Sequence, residues 1–577
     1  MKWVRLLSGC LIFSCVLMMS QDAYCVKSKL DELLNMTVQG LEVKNSSAED
    51  DNYKQFELNL NPQIGNETQQ NPEFAWSLNE SSINLAQNTN SSTPLIDENL
   101  NIQVPCMEFM GTKYDVGFSF DESNPQDNVS WSLDNIFEVA VSSKNRQENP
   151  QVETNASQTM QNSVSTFSFD MYKEVANYHK FNSDSGQESD FFFSPYSVYQ
   201  SLAKVYPGVR NNTAAEFQDA LQLGSVEDSM HSALNKLNLE LESRGQGAND
   251  EILSPYPWID SSKIYGFELD IDNSIWLVKG NPLFDIRRRT IDQGYLDLLA
   301  QNYGSGIHFL PFSKNEMASQ VNKWARTRTN GQLDQVITTD DLDDETRMVL
   351  ANLIYFKAIW EDKFDPAKTK TEEFFDLSGE AREVDMMYQN STNITFNFYQ
   401  ADKYKAIELP YDHLKSLFSD LRVSMIVILP DSGKFESVES ELGSLMLSTI
   451  VSQFESRNVE LKLPSWETQS AIDLTGVLKQ MGLKDAFVRG KADFSGMLAP
   501  ETLLKVQGEL CMSRFVHKTV ITVDEDGTKA SAFSGEIGND VSAGGAPPTT
   551  FMANRPFIYL IWDKPTNTVL FMGRVVE

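Results

Sequence analysis

Cysteine is scarce in this chain. There are five in 577 residues, and Cys10, Cys15 and Cys25 all fall in the first few turns of sequence. Cys106 and Cys511 remain, which is no disulfide framework; whether these two pair stays open. No CxxC or CxxxC pair is present, so a zinc ribbon is excluded. Histidine is as rare: His179, His231, His308, His413 and His517 are the full set. No HExxH, GxSxG or Walker-type loop occurs, so hydrolase and nucleotide-binding readings lack their minimum parts. The expectation is a protein that is not an enzyme and takes no cofactor and no metal. Positive charge is also in deficit, with 48 Lys and Arg against 81 Asp and Glu, a net −33. That disfavours nucleic acid and anionic membrane as partners. The one basic triplet, Arg287–Arg289, reads as a solvated helix face. Past residue 25 no apolar run is long enough to cross a bilayer.

The chain opens with Lys2 and Arg5, an apolar run Leu6–Met19, and a small-residue site at Ala23-Tyr24-Cys25. This pattern is that of a secretory signal peptide over residues 1–25, so the mature protein is expected to be secreted and extracellular. Sequons stand at Asn35, Asn45, Asn66, Asn79, Asn90, Asn128, Asn155, Asn211, Asn390 and Asn393, which in a secreted chain are glycosylation acceptors. Residues 26–165 are acidic, rich in Asn and Ser, and poor in apolar periodicity. Such a segment cannot bury enough apolar surface to offset its ordering entropy, so a disordered, glycosylated extension is expected. The recurrence of Trp76-Ser77-Leu78 as Trp131-Ser132-Leu133 reads as chance in a biased composition.

Order is expected from about Ser165. Phe169, Tyr172, Val175, Ala176 and His179 share a helical face. Asn212 or Thr213 is a candidate cap for the helix that follows. Strand-like runs include Asn273–Val278, Val349–Lys357, Ala406–Tyr411, Val423–Leu429 and Val459–Leu463. One stretch stands apart: Glu525–Arg555, rich in Gly, Ala and Ser, between strand-like runs at Val516–Val523 and Phe557–Trp562. A loop of this length without structure of its own is usually functional or disordered.

Several motifs resolve that choice. Glu525-Asp526-Gly527-Thr528-Lys529-Ala530-Ser531-Ala532 resembles the reactive-centre-loop hinge of the serpins. Phe193-Ser194-Pro195-Tyr196-Ser197, Asn352–Lys357 with Trp360 and Phe364, His517-Lys518, Asn554-Arg555-Pro556-Phe557 and Leu570–Val575 follow the family's order over residues 166–577. The resemblance implies an α+β serpin fold: three β-sheets, about eight to nine helices and an exposed reactive-centre loop at about 525–555. It implies a covalent acyl-enzyme complex with a target serine protease, formed by a monomer. It assigns hinge roles to Glu525, Gly527, Thr528, Ala530, Ala532 and Ser534. Ser194, Ser197, Asn352 and His517 match the shutter, and Trp360 the breach. The family's count from the hinge glycine places the scissile bond at Val541–Ser542, with Ile537–Gly538 and Asp540–Val541 as weaker alternatives; counting back from Pro556 points instead to a later bond near Gly545. A small branched Val541 suits an elastase-like pocket.

Insertion of the loop as a strand demands alternating faces. Thr528, Ala530, Ala532 and Ser534 are small on the inward face, whereas Glu536 would carry a carboxylate inward and Phe533 is bulky on the other. Two functions stay open on these residues: a protease inhibitor acting by suicide trapping, or a non-inhibitory serpin that acts as a carrier or binding protein.

Overall fold

The computed structural model describes residues 136–182, 188–246, 267–279, 290–328, 335–390, 394–411, 423–500, 502, 508–528 and 549–577, with short strands at 42–45, 56–59, 107–109, 112–116, 119–120 and 129–130. Residues 1–109 with 118–132 form one compact unit and residues 110–117 with 133–577 another. The first carries two small antiparallel ladders, Glu42–Asn45 on Phe56–Asn59 and Ser119–Phe120 on Val129–Ser130. The second unit carries the large sheets and the helices.

Its main sheet is built from β1 (Ile136–Ala140), β2 (Phe267–Val278), β3 (Ile307–Leu310), β4 (Met348–Ile359), β5 (Trp466–Asp473), β6 (Met512–Val523) and the two-residue β7 (Gly527–Thr528). Across the sheet they run β5, β6, β7, β4, β2, β3, β1, and Thr112–Val116 pairs with β1 beyond them. β4 is a nearly continuous apolar run covered on both faces, as a central strand must be. Its Leu350, Ile354, Phe356 and Ala358 enter the principal core, while Val349, Ala351 and Leu353 enter a smaller core with Trp276 and Trp324. A second sheet orders Glu455–Arg457, Phe396–Gln400, Tyr404–Pro410, Val423–Pro430, Phe557–Asp563, Thr568–Val575 and Phe191–Phe193. A third orders Lys370–Phe375, Ala381–Gln389, Val459–Pro464 and Thr549–Met552. The chain leaves the main sheet at Thr528 and rejoins order at the edge of the third sheet at Thr549. The Gly/Ser-rich stretch thus joins two sheets.

Nine α-helices occur among the described residues. Four position the site: α1 (Thr154–Asn182), α2 (Pro195–Val205), α3 (Met230–Gln246) and α4 (Gln293–Tyr303). α1 buries Met160, Val164, Phe167, Met171 and Val175, a stripe spaced by three and four residues.

Described structure extends N-terminal to Ser165. α1 begins at Thr154, and β1 pairs antiparallel with β3 through Ala140–Ile307 and Val139–His308. Val139 and Ala140 are buried. The few apolar residues of this segment, diluted among Asn, Gln and Ser, find partners only in the folded body. The helix at Asn211–Ala220 also differs from expectation. Arg210 occupies its N-cap, and the Thr213 hydroxyl instead accepts from the Asp493 amide at 3.1 Å.

Candidate functional site: the loop seat and the polar cluster beneath it

β4 and β6 pair directly, in parallel, from Met348–Met512 to Leu353–Lys518. Beyond that point they part, and β7 lies in the opening. Thr528 pairs with Ala358 of β4 and Val523 of β6, and Gly527 with Ile359. The side chain of Thr528 is 1% exposed, and its Oγ1 lies 2.7 Å from the Tyr411 hydroxyl. Tyr411 stacks on Trp360 with ring centroids 4.7 Å apart. Gly527 is required by space: a Cβ there would stand 2.1 Å from the Ala358 carbonyl oxygen.

The turn leading into this seat is tied down along its length. Trp360 Nε1 donates to the Asp524 carbonyl at 3.0 Å, and its amide to the Asp526 carbonyl at 2.9 Å. Lys363 pairs with Asp526 at 2.8 Å, and Thr369 Oγ1 donates to the Glu525 carboxylate at 2.6 Å. Asp524 Oδ1 accepts from the Asp526 and Gly527 amides at 3.0 and 3.1 Å. Burial pushes its carboxyl above the usual range, against the pull of those amides.

Below the seat, four strands and helices contribute to one buried polar cluster. His517 of β6 accepts the Ser194 amide on Nε2 at 3.0 Å, so its proton sits on Nδ1, which faces Asn352 Oδ1 of β4 at 2.5 Å. Burial lowers the His517 pKa to about 3, which keeps the ring neutral and this pairing intact. Asn352 Nδ2 donates to Ser197 Oγ at 2.6 Å, to Ser201 Oγ at 3.1 Å and to Asn273 Oδ1 at 2.5 Å. Ser197 Oγ also donates to Asn273 Oδ1, at 3.0 Å. Ser194 caps α2 by accepting from the Ser197 amide at 3.1 Å and donates to the Leu570 carbonyl at 2.6 Å.

The structure therefore brings Ser194, Ser197, Asn352 and His517 together, and places Glu525, Gly527 and Thr528 against Trp360 and its neighbours. It adds Asn273 and Ser201, which sequence reasoning missed. Asn273 pairs in register with Asn352, and an amide just before the apolar run Ile275–Val278 was the available signal. Ala530, Ala532, Ser534, Val541 and Ser542 lie outside the described residues. So do Asn35, Asn66, Asn79, Asn90, Asn128 and Asn393, while Asn45 is described in its backbone alone. Among the described sequons Asn155 is exposed, Asn390 donates to the Tyr388 hydroxyl at 2.9 Å, and Asn211 donates to the Asp493 carboxylate at 2.6 Å. Cys511 is buried, and Cys106 lies outside the described residues.

A seat for one strand end between two parting strands, above a satisfied polar cluster, is the geometry expected of a loop that enters a sheet. Residues 162–577 match the family model described as serpin (serine protease inhibitor). The chain belongs to the serpin family. An uncharacterised serpin-like protein of Thermococcus kodakarensis is 31% identical over 458 residues, 79% of this chain and 91% of that one. The leukocyte elastase inhibitor of Equus caballus is 29% identical over 400 residues, 68% of this chain and 94% of that one. The native-state structure of the thermophilic serpin tengpin superposes with a TM-score of 0.58 at 25% identity, covering 76% of this chain and 97% of that one. The architecture is the serpin fold, with three large sheets and, among the described residues, nine α-helices. Most members of the family inhibit proteases rather than catalyse a reaction.

Proposed function

We propose that this serpin is a secreted, monomeric inhibitor of an elastase-like serine protease, acting by suicide cleavage of its reactive loop. It needs no cofactor or metal, and neither nucleic acid nor membrane is its partner. The seated hinge carries the reading. Thr528 already occupies a strand position between β4 and β6, so insertion extends an existing ladder rather than starting one.

In this reading the protease serine Oγ attacks the Val541 carbonyl. The bond to Ser542 breaks, the new amine takes the proton held by the protease histidine, and Val541 remains as an acyl ester. The loop N-terminal to Val541 then zips into the sheet. Successive residues bond alternately to the strand on one side and on the other, and the tethered protease is carried away before water cleaves the ester.

Incubation with an elastase-type protease tests this. An SDS-stable complex and a released peptide beginning at Ser542 are expected. The second reading, a carrier or binding serpin, is favoured by Glu536 and Phe533. Cleavage without a complex, and a thermal midpoint unchanged by cleavage, would establish it instead.

A further inference from the structure

The segment before α1 carries an arrangement that lies N-terminal to the residues matched by the family model. After β1 the chain crosses α4 and α3. Ser142 Oγ donates to Asp297 of α4 at 2.5 Å, and the Gln147 amide to the Gln301 carbonyl at 2.8 Å. Arg146 Nε donates to Asn235 Oδ1 of α3 at 2.9 Å, and its Nη1 reaches both Glu242 oxygens at 2.9 Å. Asn235 Nδ2 donates to the Gln147 carbonyl at 2.8 Å. Asn235 is fully buried. Both ends of its amide are therefore satisfied by this strap, and its loss would orphan them.

One helical turn further, the line continues inward. Asn238 Oδ1 accepts from the Tyr196 hydroxyl and from Gln200 Nε2 of α2. Gln200 Oε1 accepts from Asn273 Nδ2 of β2 at 3.2 Å, and the buried Lys204 Nζ donates to the Asn273 carbonyl at 2.9 Å. Asn273 is the partner of Asn352 in the cluster under the loop seat. The strap thus touches both parts that must shift relative to each other when a strand enters between β4 and β6. Through β1 it is the neighbour of β3 in the sheet, and through Ser142, Arg146 and Gln147 it holds the helices packed beneath.

We propose that residues 139–147 are a clasp that restrains opening of the main sheet, with Arg146 as its positioning residue acting through Asn235, Asn238 and Gln200 on Asn273. This rests on the insertion reading above, whose rate the clasp regulates. A chain of contacts shows a route, not a coupling energy, so the test measures coupling.

Hydrogen exchange of the full chain is followed in the β4 and β6 amides. Arg146→Met removes the hydrogen bonds and keeps the stem. Gly306→Ala acts from the other side, since a Cβ there would meet the Ala140 carbonyl oxygen at 2.3 Å and displace β1. Both are expected to speed β4 and β6 exchange about tenfold, which is about 1.4 kcal/mol of opening free energy. Arg146→Met combined with Asn238→Leu is expected to be non-additive. Loss of protection confined to residues 136–147 and α3 overturns the proposal, as does an additive double variant. Should Gly306→Ala fail to fold, Arg146→Met, at a partly buried side chain, decides alone. Protease trapping is scored separately. Faster exchange without trapping by any variant or the parent would leave the clasp standing and sink the inhibitor reading; trapping with unchanged exchange would do the reverse.

Discussion

Thr528→Arg tests the seat most directly. Thr528 is enclosed between β4 and β6 and bonded to Tyr411, and among the described residues no carboxylate hydrogen-bonds at that position. Burying an uncompensated guanidinium costs several kcal/mol by order of magnitude, more than one hydroxyl contact of about 1 kcal/mol returns. The hinge should therefore leave the sheet, and the first step of insertion after cleavage should become the slow one. If about 3 kcal/mol of that cost reaches the insertion barrier, insertion slows about 100-fold, and hydrolysis of the acyl-enzyme overtakes it. On an SDS gel with an elastase-type protease, the parent is expected to give a covalent complex and the variant a cleaved chain with free protease. Equal yields of complex would refute the reasoning, because the seat would then have no part in insertion.

Other expectations follow from the same geometry. Burial holds His517 and His308 at about 3, and His231 and His179 at about 4. The unfolded chain binds more protons below its ordinary histidine value of 6.5, so the stability these groups contribute is complete above that pH and is lost as pH falls toward the folded values, at about 1.4 kcal/mol per pH unit for each. The thermal midpoint should drop from pH 7 to pH 5, and a flat profile would count against neutral rings at these four positions, two of them buried and two half-buried. Asn352→Ala removes the donor shared by Ser197, Ser201 and Asn273 and leaves His517 Nδ1 unpaired; a loss of about 3 kcal/mol in chemical denaturation is expected, and a loss under 1 would mean the cluster is not cooperative. Limited proteolysis should yield a stable fragment that begins before Val139 rather than at Ser165; a fragment starting inside α1 would show the strap to be dispensable.

Much of this was legible from spacing. The alternation through Thr528, Ala530, Ala532 and Ser534 predicted which face turns inward; of these Thr528 alone is described, and it is buried together with Gly527. What alternation does not carry is that the hinge already rests in the sheet, because the seat is lined by Tyr411 and Trp360, far away in sequence. The C-terminal half of α1 stood out by its periodic aromatics. Its first turns did not, because Met160 and Val164 are isolated among Asn, Gln, Ser and Thr, and burial there is decided by the body they dock on. Asn273 escaped for a related reason: an amide in a strand is ordinary until its register partner is known to be another buried amide.

Register also says how far the loop can travel. Thr528 pairs antiparallel with Ala358. Continued in that register, Ala530 falls opposite Phe356, Ala532 opposite Ile354 and Ser534 opposite Asn352. The inward face of β4 at these positions is the principal core, so the first three side chains need to be small and apolar enough to share it. Ser534 arrives level with the polar cluster, where a hydroxyl finds Asn352 and His517 as partners. Glu536 comes next, opposite Leu350, whose neighbours across the sheet are Ile275 on β2 and Phe515 on β6. All three are buried, and none can pair a carboxylate. The cost of several kcal/mol therefore falls just past the cluster, and it decides between a full trap and a stalled one. Glu536→Ala should raise the thermal midpoint of the loop-cleaved chain above that of the cleaved parent, and should increase the fraction of protease held as complex. Identical midpoints for the two cleaved proteins would mean that Glu536 never enters the sheet, and that insertion ends at Ser534.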